Sequence, residues 1–316
     1  MRMYAGQKIK SLWTMFLICL VQVLFLPHIA ISSDADVNKP AGASGYNVVV
    51  ISVNALRADH LGCYGYPRAT SPNIDAFARN SVIFDRAIAQ SYWTLPSLVS
   101  LFTSKYISAH NVDSRNTKLE TKNQTLASVL KIYGYATAGF TCGLDTAAAY
   151  GLNQGFDVYN VYNGNNVVGS LADMVPKAVN WLKENKDKKF FLFLQSYDAH
   201  PPYSERAKAS FSRGYKGELK KYRLDYNTLK NINGDLLISK GSQIKLSVQD
   251  LGYLTSRYDD CIEYLDGYIG KFLSALGELN LSLKTIVVFC ADHGEELGER
   301  GTFNRFGNQN LYQEVL

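Results

Sequence analysis

Three short apolar runs set what this chain can fold into: Tyr46–Val53, Lys189–Gln195 around Phe190-Phe191-Leu192-Phe193-Leu194, and Thr285–Cys290. Each is short for a helix, rich in β-branched or aromatic residues, and free of the polar alternation of a half-wet strand. They read as strands buried on both faces. Amphipathic stretches lie between them. Leu171–Lys183 places Met174, Val175, Ala178 and Leu182 on one side. From Leu251 through Tyr258, Leu265 and Phe272 to Leu276, apolar residues recur three or four apart, the period of one long helix. Ser247 and Asp250 stand in front of it at the spacing of a capping box. Shorter helices are expected at Asn73–Asn80 behind Pro72, at Pro96–Thr103 and at Thr121–Ile132, with further strands at Ser81–Ala89 and Tyr135–Phe140. Strands alternating with helices predict an α/β fold, a mostly parallel sheet sandwiched by helices.

The chain has 316 residues, 47% of them hydrophobic, which suffices for one large core. The net charge is only +5, and no Lys/Arg run is dense enough to bind nucleic acid. Arg2, Lys8 and Lys10 precede the almost wholly apolar Leu12–Ile31, so residues 1–33 read as a signal peptide or an uncleaved N-terminal anchor. Export is therefore expected, to a periplasmic or extracellular location, with any membrane attachment through that segment alone. Residues 34–45 have linker composition, and 46–316 form the α/β domain. The isolated Cys63, Cys142, Cys261 and Cys290 read as small buried hydrophobes rather than disulfide partners.

Chemistry gathers where the strands end, the place where open α/β sheets bind ligands. After Thr285–Cys290 comes Ala291-Asp292-His293-Gly294-Glu295. Adjacent Asp292 and His293 offer a hard oxygen and a nitrogen to a divalent metal; the alternative is a helix-capping Asp beside an exposed His. After Tyr46–Val53 comes Asn54-Ala55-Leu56-Arg57-Ala58-Asp59-His60-Leu61-Gly62. Thr70-Ser71-Pro72-Asn73, Trp93-Thr94-Leu95-Pro96-Ser97, Gly155-Phe156-Asp157 and Asp198-Ala199-His200-Pro201-Pro202-Tyr203 complete the set. In this order the motifs closely resemble the sulfatase family of the alkaline-phosphatase-like superfamily. In that family a further strand and a smaller C-terminal subdomain follow, so the resemblance implies a chain that lacks the C-terminal subdomain. Residues Ser204 to about Lys245 match nothing in the pattern.

The resemblance also assigns roles. Asp292 and His293 match metal ligands without change. Asn54 stands where the family carries a metal-binding Asp; an Asn carbonyl still coordinates a hard cation, without the charge that tightens binding. Its other reading is a turn residue after a strand. Thr94 stands at the nucleophile. Many sulfatases oxidise a Cys or Ser there to formylglycine within Cys/Ser-x-Pro-x-Arg. Thr94 would give a ketone instead, and the Arg position is Leu98. Relatives that transfer phosphorus groups use a Thr activated by the metal, and Trp93-Thr94-Leu95-Pro96-Ser97 resembles those. Thr94 also reads as the N-cap of the following helix. His200 matches a His that acts on substrate oxygen or leaving group. Arg57 either binds the substrate's anionic oxygens or pairs with Asp59. Arg300 and Phe306 replace residues that are usually His; Arg300 and Arg305 could instead hold an anion. The implied cofactor is one divalent cation (calcium, magnesium or manganese), bound by Asn54, Thr94, Asp292 and His293. The implied substrate is a small anionic ester or a sulfated or phosphorylated glycan, turned over by Thr94 and His200 with Arg57 and His200 in contact with it. The alternative is a catalytically impaired protein of the same fold that only binds anionic ligands.

Overall fold

The computed structural model describes residues 45–164, 167–203, 207–222, 224 and 246–299. The N-terminal segment 1–33, nearly all of the linker, and Arg300, Arg305 and Phe306 lie outside the described residues. Strands β1 (Asn47–Val53), β2 (Ala136–Thr141), β3 (Val158–Val161), β6 (Phe190–Ser196) and β7 (Thr285–Ala291) form one sheet in the order β3-β2-β6-β1-β7. Every pairing in it is parallel. A two-residue pair, β4 (Asn163–Gly164) and β5 (Val167–Val168), forms a small separate hairpin.

Side chains alternate across the pleat, so one strand feeds two cores. Val49, Ile51 and Val53 of β1 and Phe190, Leu192 and Leu194 of β6 pack against α5 (Leu171–Asn185) and α6 (Val248–Glu278). Val50, Phe191 and Phe193 face the opposite way, onto α2 (Thr94–Thr103) and α4 (Leu126–Ile132). Burying each such Leu, Ile or Phe contributes about 1.5–3 kcal/mol. That two-sided demand is why the strands read as unbroken apolar runs. The predicted capping box holds: Ser247 accepts from Asp250 N, and Asp250 reaches back to Ser247. Among the described residues no helix is long and apolar enough to cross a membrane, and Cys63, Cys142, Cys261 and Cys290 are free thiols.

Two local expectations need correction. Ser81–Ala89 is not a strand. It turns at Asp85-Arg86 and leaves Val82 80% and Ile88 61% exposed, because its apolar residues find no strand partner among the described residues. The helix expected from Thr121 starts only at Leu126. There Thr125 accepts from Ser128 N and caps it, and the preceding polar residues form turns instead. The start of α1 (Pro72–Ala78) is capped by Asp266 on α6 from 192–193 residues away, which accepts from Asn73 N and Ile74 N.

Candidate active site

Asn54 follows β1 directly, and its backbone N–H donates to Ser196 O at the end of neighbouring β6 at 2.8 Å. Parallel register thus brings the carboxyl ends of β1, β6 and β7 level, with Val53 opposite Ser196 and Ala291. Asp292 follows β7 just as Asn54 follows β1. The two residues, 238 apart in sequence, meet: Asn54 Nδ2 donates to Asp292 Oδ2 at 3.0 Å and to Thr94 Oγ1 at 2.6 Å. Asp292 Oδ1 accepts from His293 N at 2.9 Å and from Ala55 N at 3.3 Å. Ser97 Oγ, one turn into α2, donates to Asp292 O at 2.5 Å. Ala55 adopts a left-handed φ of 59°, which non-glycine residues rarely take. Tyr258, fully buried on α6, holds that turn: its hydroxyl donates to Ala55 O at 2.7 Å and accepts from Arg57 N at 2.8 Å.

Thr94 is the first residue of α2, not its cap; Trp93 occupies the cap position with extended backbone and no capping side chain. The Thr94 hydroxyl therefore points into the site, 3% exposed, at the positive end of the helix. Besides Asn54 it meets His293 Nε2 at 3.4 Å. His293 Nδ1 donates to Gly294 O at 2.7 Å, which turns Nε2 toward Thr94. Leu98, one helical turn on, is wholly buried among apolar neighbours, so no cation stands where the formylglycine motif has its Arg.

His200 lies in the loop after β6, its ring centroid 5.2 Å from that of Tyr197. Its Nδ1 donates to Pro201 O at 2.5 Å. The ring keeps a partly exposed edge, yet the protein packed around it pushes its pKa down to about 4, with His293 adding in the same direction. Asp198, in the same motif, is structural: it accepts from Leu171 N and Ser196 Oγ and ties β6 to the start of α5.

Arg57 makes the pairing with Asp59 that is one of its two expected roles. Nε and Nη2 bond Asp59 at 2.9 and 2.7 Å, and Nη1 bonds Glu299 Oε1 at 2.5 Å and Glu295 O at 3.0 Å. Its side chain is 5% exposed. With its three nitrogens engaged, it fastens the first strand-end loop to the one after β7.

Burial raises the Asp292 carboxyl against the pull of His293 and of the N–H groups of His293 and Ala55. A buried carboxylate is costly unless paired or coordinated. Here its neighbours are an imidazole at 3.8 Å and two carboxamides, Asn54 and Gln195, the latter donating to Oδ2 at 3.3 Å. Asn54 Oδ1 and Gln195 Oε1 are buried acceptors without a donor. Asp292 Oδ2 and Thr94 Oγ1 both present lone pairs to the position that Asn54 Nδ2 now fills, and His293 Nε2 lies 3.4 Å from that Thr94 oxygen. Exchanging the two amide atoms of Asn54 by rotation would turn an oxygen there instead. The donor set fits a divalent cation, with one formal negative charge instead of several. Among the described residues no group of three His, Cys, Asp or Glu side chains stands together for a metal.

The sequence reading missed Gln195, Tyr258 and the ion pair of Arg115 with Asp145 beside Trp93. Gln195 carried a signal: it is the first uncharged polar residue to interrupt the run from Phe190 to Leu194, at the end of the strand. Tyr258 carried none, being one aromatic in a helix stripe.

Comparison with known proteins agrees with this geometry. The family described as Sulfatase matches residues 46–315, and the chain belongs to that family. Human iduronate 2-sulfatase is 26% identical over 349 residues, covering 91% of this chain and 61% of its own. An ulvan-active sulfatase of Formosa agariphila is 26% identical, covering 80% of this chain and 51% of its own. The chain thus spans half to three fifths of these relatives' length. Among solved structures, a phosphonate monoester hydrolase of Agrobacterium radiobacter superposes with a TM-score of 0.64 at 21% identity, covering 85% of this chain and 66% of its own. That likeness carries the alkaline-phosphatase-like fold.

Proposed function

We propose that this member of the sulfatase family hydrolyses or transfers sulfate or phosphate esters, with Thr94 as nucleophile in place of formylglycine. One observation carries the reading: Thr94 Oγ1 stands at the N-terminus of α2 between a donor, Asn54 Nδ2 at 2.6 Å, and an imidazole nitrogen, His293 Nε2 at 3.4 Å. Thr94 Oγ attacks the sulfur or phosphorus and the ester oxygen leaves; water then attacks the Thr94 ester and releases the acid. His200, its pKa pushed down to about 4 and its ring neutral at pH 7, takes the proton that Thr94 gives up and returns it to the leaving oxygen. The amide dipoles of α2 face the negative charge that grows on the transferring group. A divalent cation held by Asp292, His293, Thr94 and the Asn54 carboxamide, with calcium, magnesium or manganese suited to these ligands, would lower the hydroxyl pKa and balance that charge. Small anionic esters and sulfated or phosphorylated glycans are the substrate class. Phosphorus esters are favoured over sulfate esters, because the hydrated aldehyde that helps formylglycine enzymes expel sulfate is absent.

Thr94→Ala tests the reading on 4-nitrophenyl sulfate and bis(4-nitrophenyl) phosphate. Turnover should vanish with folding intact, and Thr94→Ser should keep part of it. A Thr94→Ala protein as active as the parent overturns the assignment. A second reading, a protein of this fold that binds anionic ligands without turning them over, is favoured by Asn54, Arg300 and Phe306 in the sequence. A parent that binds these esters without hydrolysing them would establish it.

A further inference from the structure

The Thr94 site has a rim, and one cation is built into it. Arg115 lies in the loop before α4, and its guanidinium carbon sits 5.9 Å from the centre of the Trp93 ring, one residue before Thr94. The loop is pinned by a turn in which Thr117 Oγ1 donates to Ser114 O at 2.7 Å, and by Leu119 N donating to Tyr150 O at 2.9 Å. Asp145, in the loop after β2, holds the guanidinium from one side. Nε bonds Oδ1 at 2.6 Å and Nη2 bonds Oδ2 at 2.8 Å. Asp145 is 7% exposed, while the Arg115 side chain is 63% exposed. The Trp93 contact places the pair beside the start of α2, on the Thr94 side of the molecule.

A guanidinium has five N–H donors in a rigid fork. Asp145 takes the Nε edge. The Nη1–Nη2 edge remains, and among the described residues it meets no acceptor. Two contacts, the Asp145 carboxylate and the Trp93 ring, orient it, so little rotamer freedom is left to lose on binding. Such an edge suits a carboxylate, sulfate or phosphate approached in two bonds. It does not serve the reacting group. Thr94 is almost fully buried while Arg115 is mostly exposed, and the pair with Asp145 is neutral overall, so its contribution is directional bonding at the mouth.

We propose that the Arg115–Asp145 pair is a specificity site that binds a second anionic group, carried by the leaving-group side of the substrate. The proposal rests on the reading of Thr94 as the centre for anionic esters, and deepens it: the preferred substrate is an ester whose alcohol carries its own carboxylate, sulfate or phosphate.

The test compares 4-nitrophenyl sulfate and phosphate with their 3-carboxy derivatives, in the parent, Arg115→Ala and Arg115→Lys. A hydrogen bond to a charged group is worth about 1.5–3 kcal/mol, or roughly 10- to 100-fold. Arg115→Ala should raise KM for the carboxylated esters by about that factor, leave their kcat unchanged, and leave KM for the plain esters within about twofold. Arg115→Lys keeps a charge beside Asp145, and so controls for folding, but lacks the fork; it should recover little of the preference. Equal losses on both substrates, or no loss on either, overturn the proposal. Should the parent hydrolyse none of these esters, the reading of Thr94 fails by itself, and calorimetry of the same compounds decides the rim. Weaker binding of only the carboxylated compounds by Arg115→Ala supports the proposal; undiminished binding, or none by the parent, refutes it.

Discussion

Asn54→Asp is the substitution that most directly probes the centre. Asn54 is wholly buried, Asp292 is 2% exposed, and the new carboxylate would stand about where Nδ2 now lies 3.0 Å from Asp292 Oδ2. Two unit charges 3 Å apart repel by about 5 kcal/mol at an effective dielectric of 20. The lost N–H bond to a charged acceptor removes about 1.5–3 kcal/mol more. Proton uptake by one of the pair caps the cost, as in paired carboxylates elsewhere. About 2–4 kcal/mol should remain at neutral pH in chelator. At about 2–4 °C per kcal/mol, the melting temperature falls by roughly 5–15 °C. Calcium or manganese at millimolar concentration reverses the sign, because ligand charge tightens hard-cation binding. Calorimetry should then give at least about tenfold tighter binding than the parent, a gain of about 1.4 kcal/mol. Differential scanning with and without metal reads both effects in one protein. An Asn54→Asp variant that melts like the parent in chelator and binds metal no better would refute the facing of residue 54 and Asp292. Failure of parent and variant alike to bind any divalent cation would refute the metal site itself.

Tyr258→Phe removes the hydroxyl that satisfies both Ala55 O and Arg57 N; each buried group left unpaired costs about 1–3 kcal/mol. Urea unfolding should show a loss of about 2–4 kcal/mol, together with weaker metal binding as the Asn54–Ala55 turn relaxes, and an unchanged midpoint would remove Tyr258 from the account. For His200, burial depresses the pKa to about 4, below the ordinary 6.5. Its neutral form therefore contributes stability that is complete above about pH 6.5 and is lost as pH falls through about 4, worth at most about 3 kcal/mol. In His200→Gln that share of the acid destabilisation should disappear, and the acid limb of the rate profile near pH 4 should go with it; an identical pH profile of stability would contradict the assignment.

The strands, the long helix and its cap were legible because they depend on residues near one another in sequence. A run apolar on both faces has few destinations besides the middle of a layered sheet, and the 3.6 period from Leu251 to Leu276 admits one element. The strand-end motifs were legible for the same reason: Asn54, Asp292 and His293 each follow directly on such a run, and parallel register then brings them level. Ser81–Ala89 failed as a strand because a β-like sequence needs a partner strand, which composition does not supply. Thr121–Asn123 failed as helix because polar side chains bonded the local backbone into turns.

What tertiary structure alone decided is which partner each site residue chose. Arg57 could face substrate or protein; Glu299 and Glu295, 242 and 238 residues away, engage it from the β7 loop and clasp the two loops together. Thr94 could cap its helix or begin it, and only the extended Trp93 backbone turns its hydroxyl toward Asn54 and His293. The pairing of Arg115 with Asp145, the Gln195 contact to Asp292 and the hold of Tyr258 on Ala55 join segments brought close by packing alone. Local sequence fixes periodicity and backbone preference, which determine elements. The direction of a hydrogen bond or ion pair depends on distances between elements, and those exist only once the layers have packed.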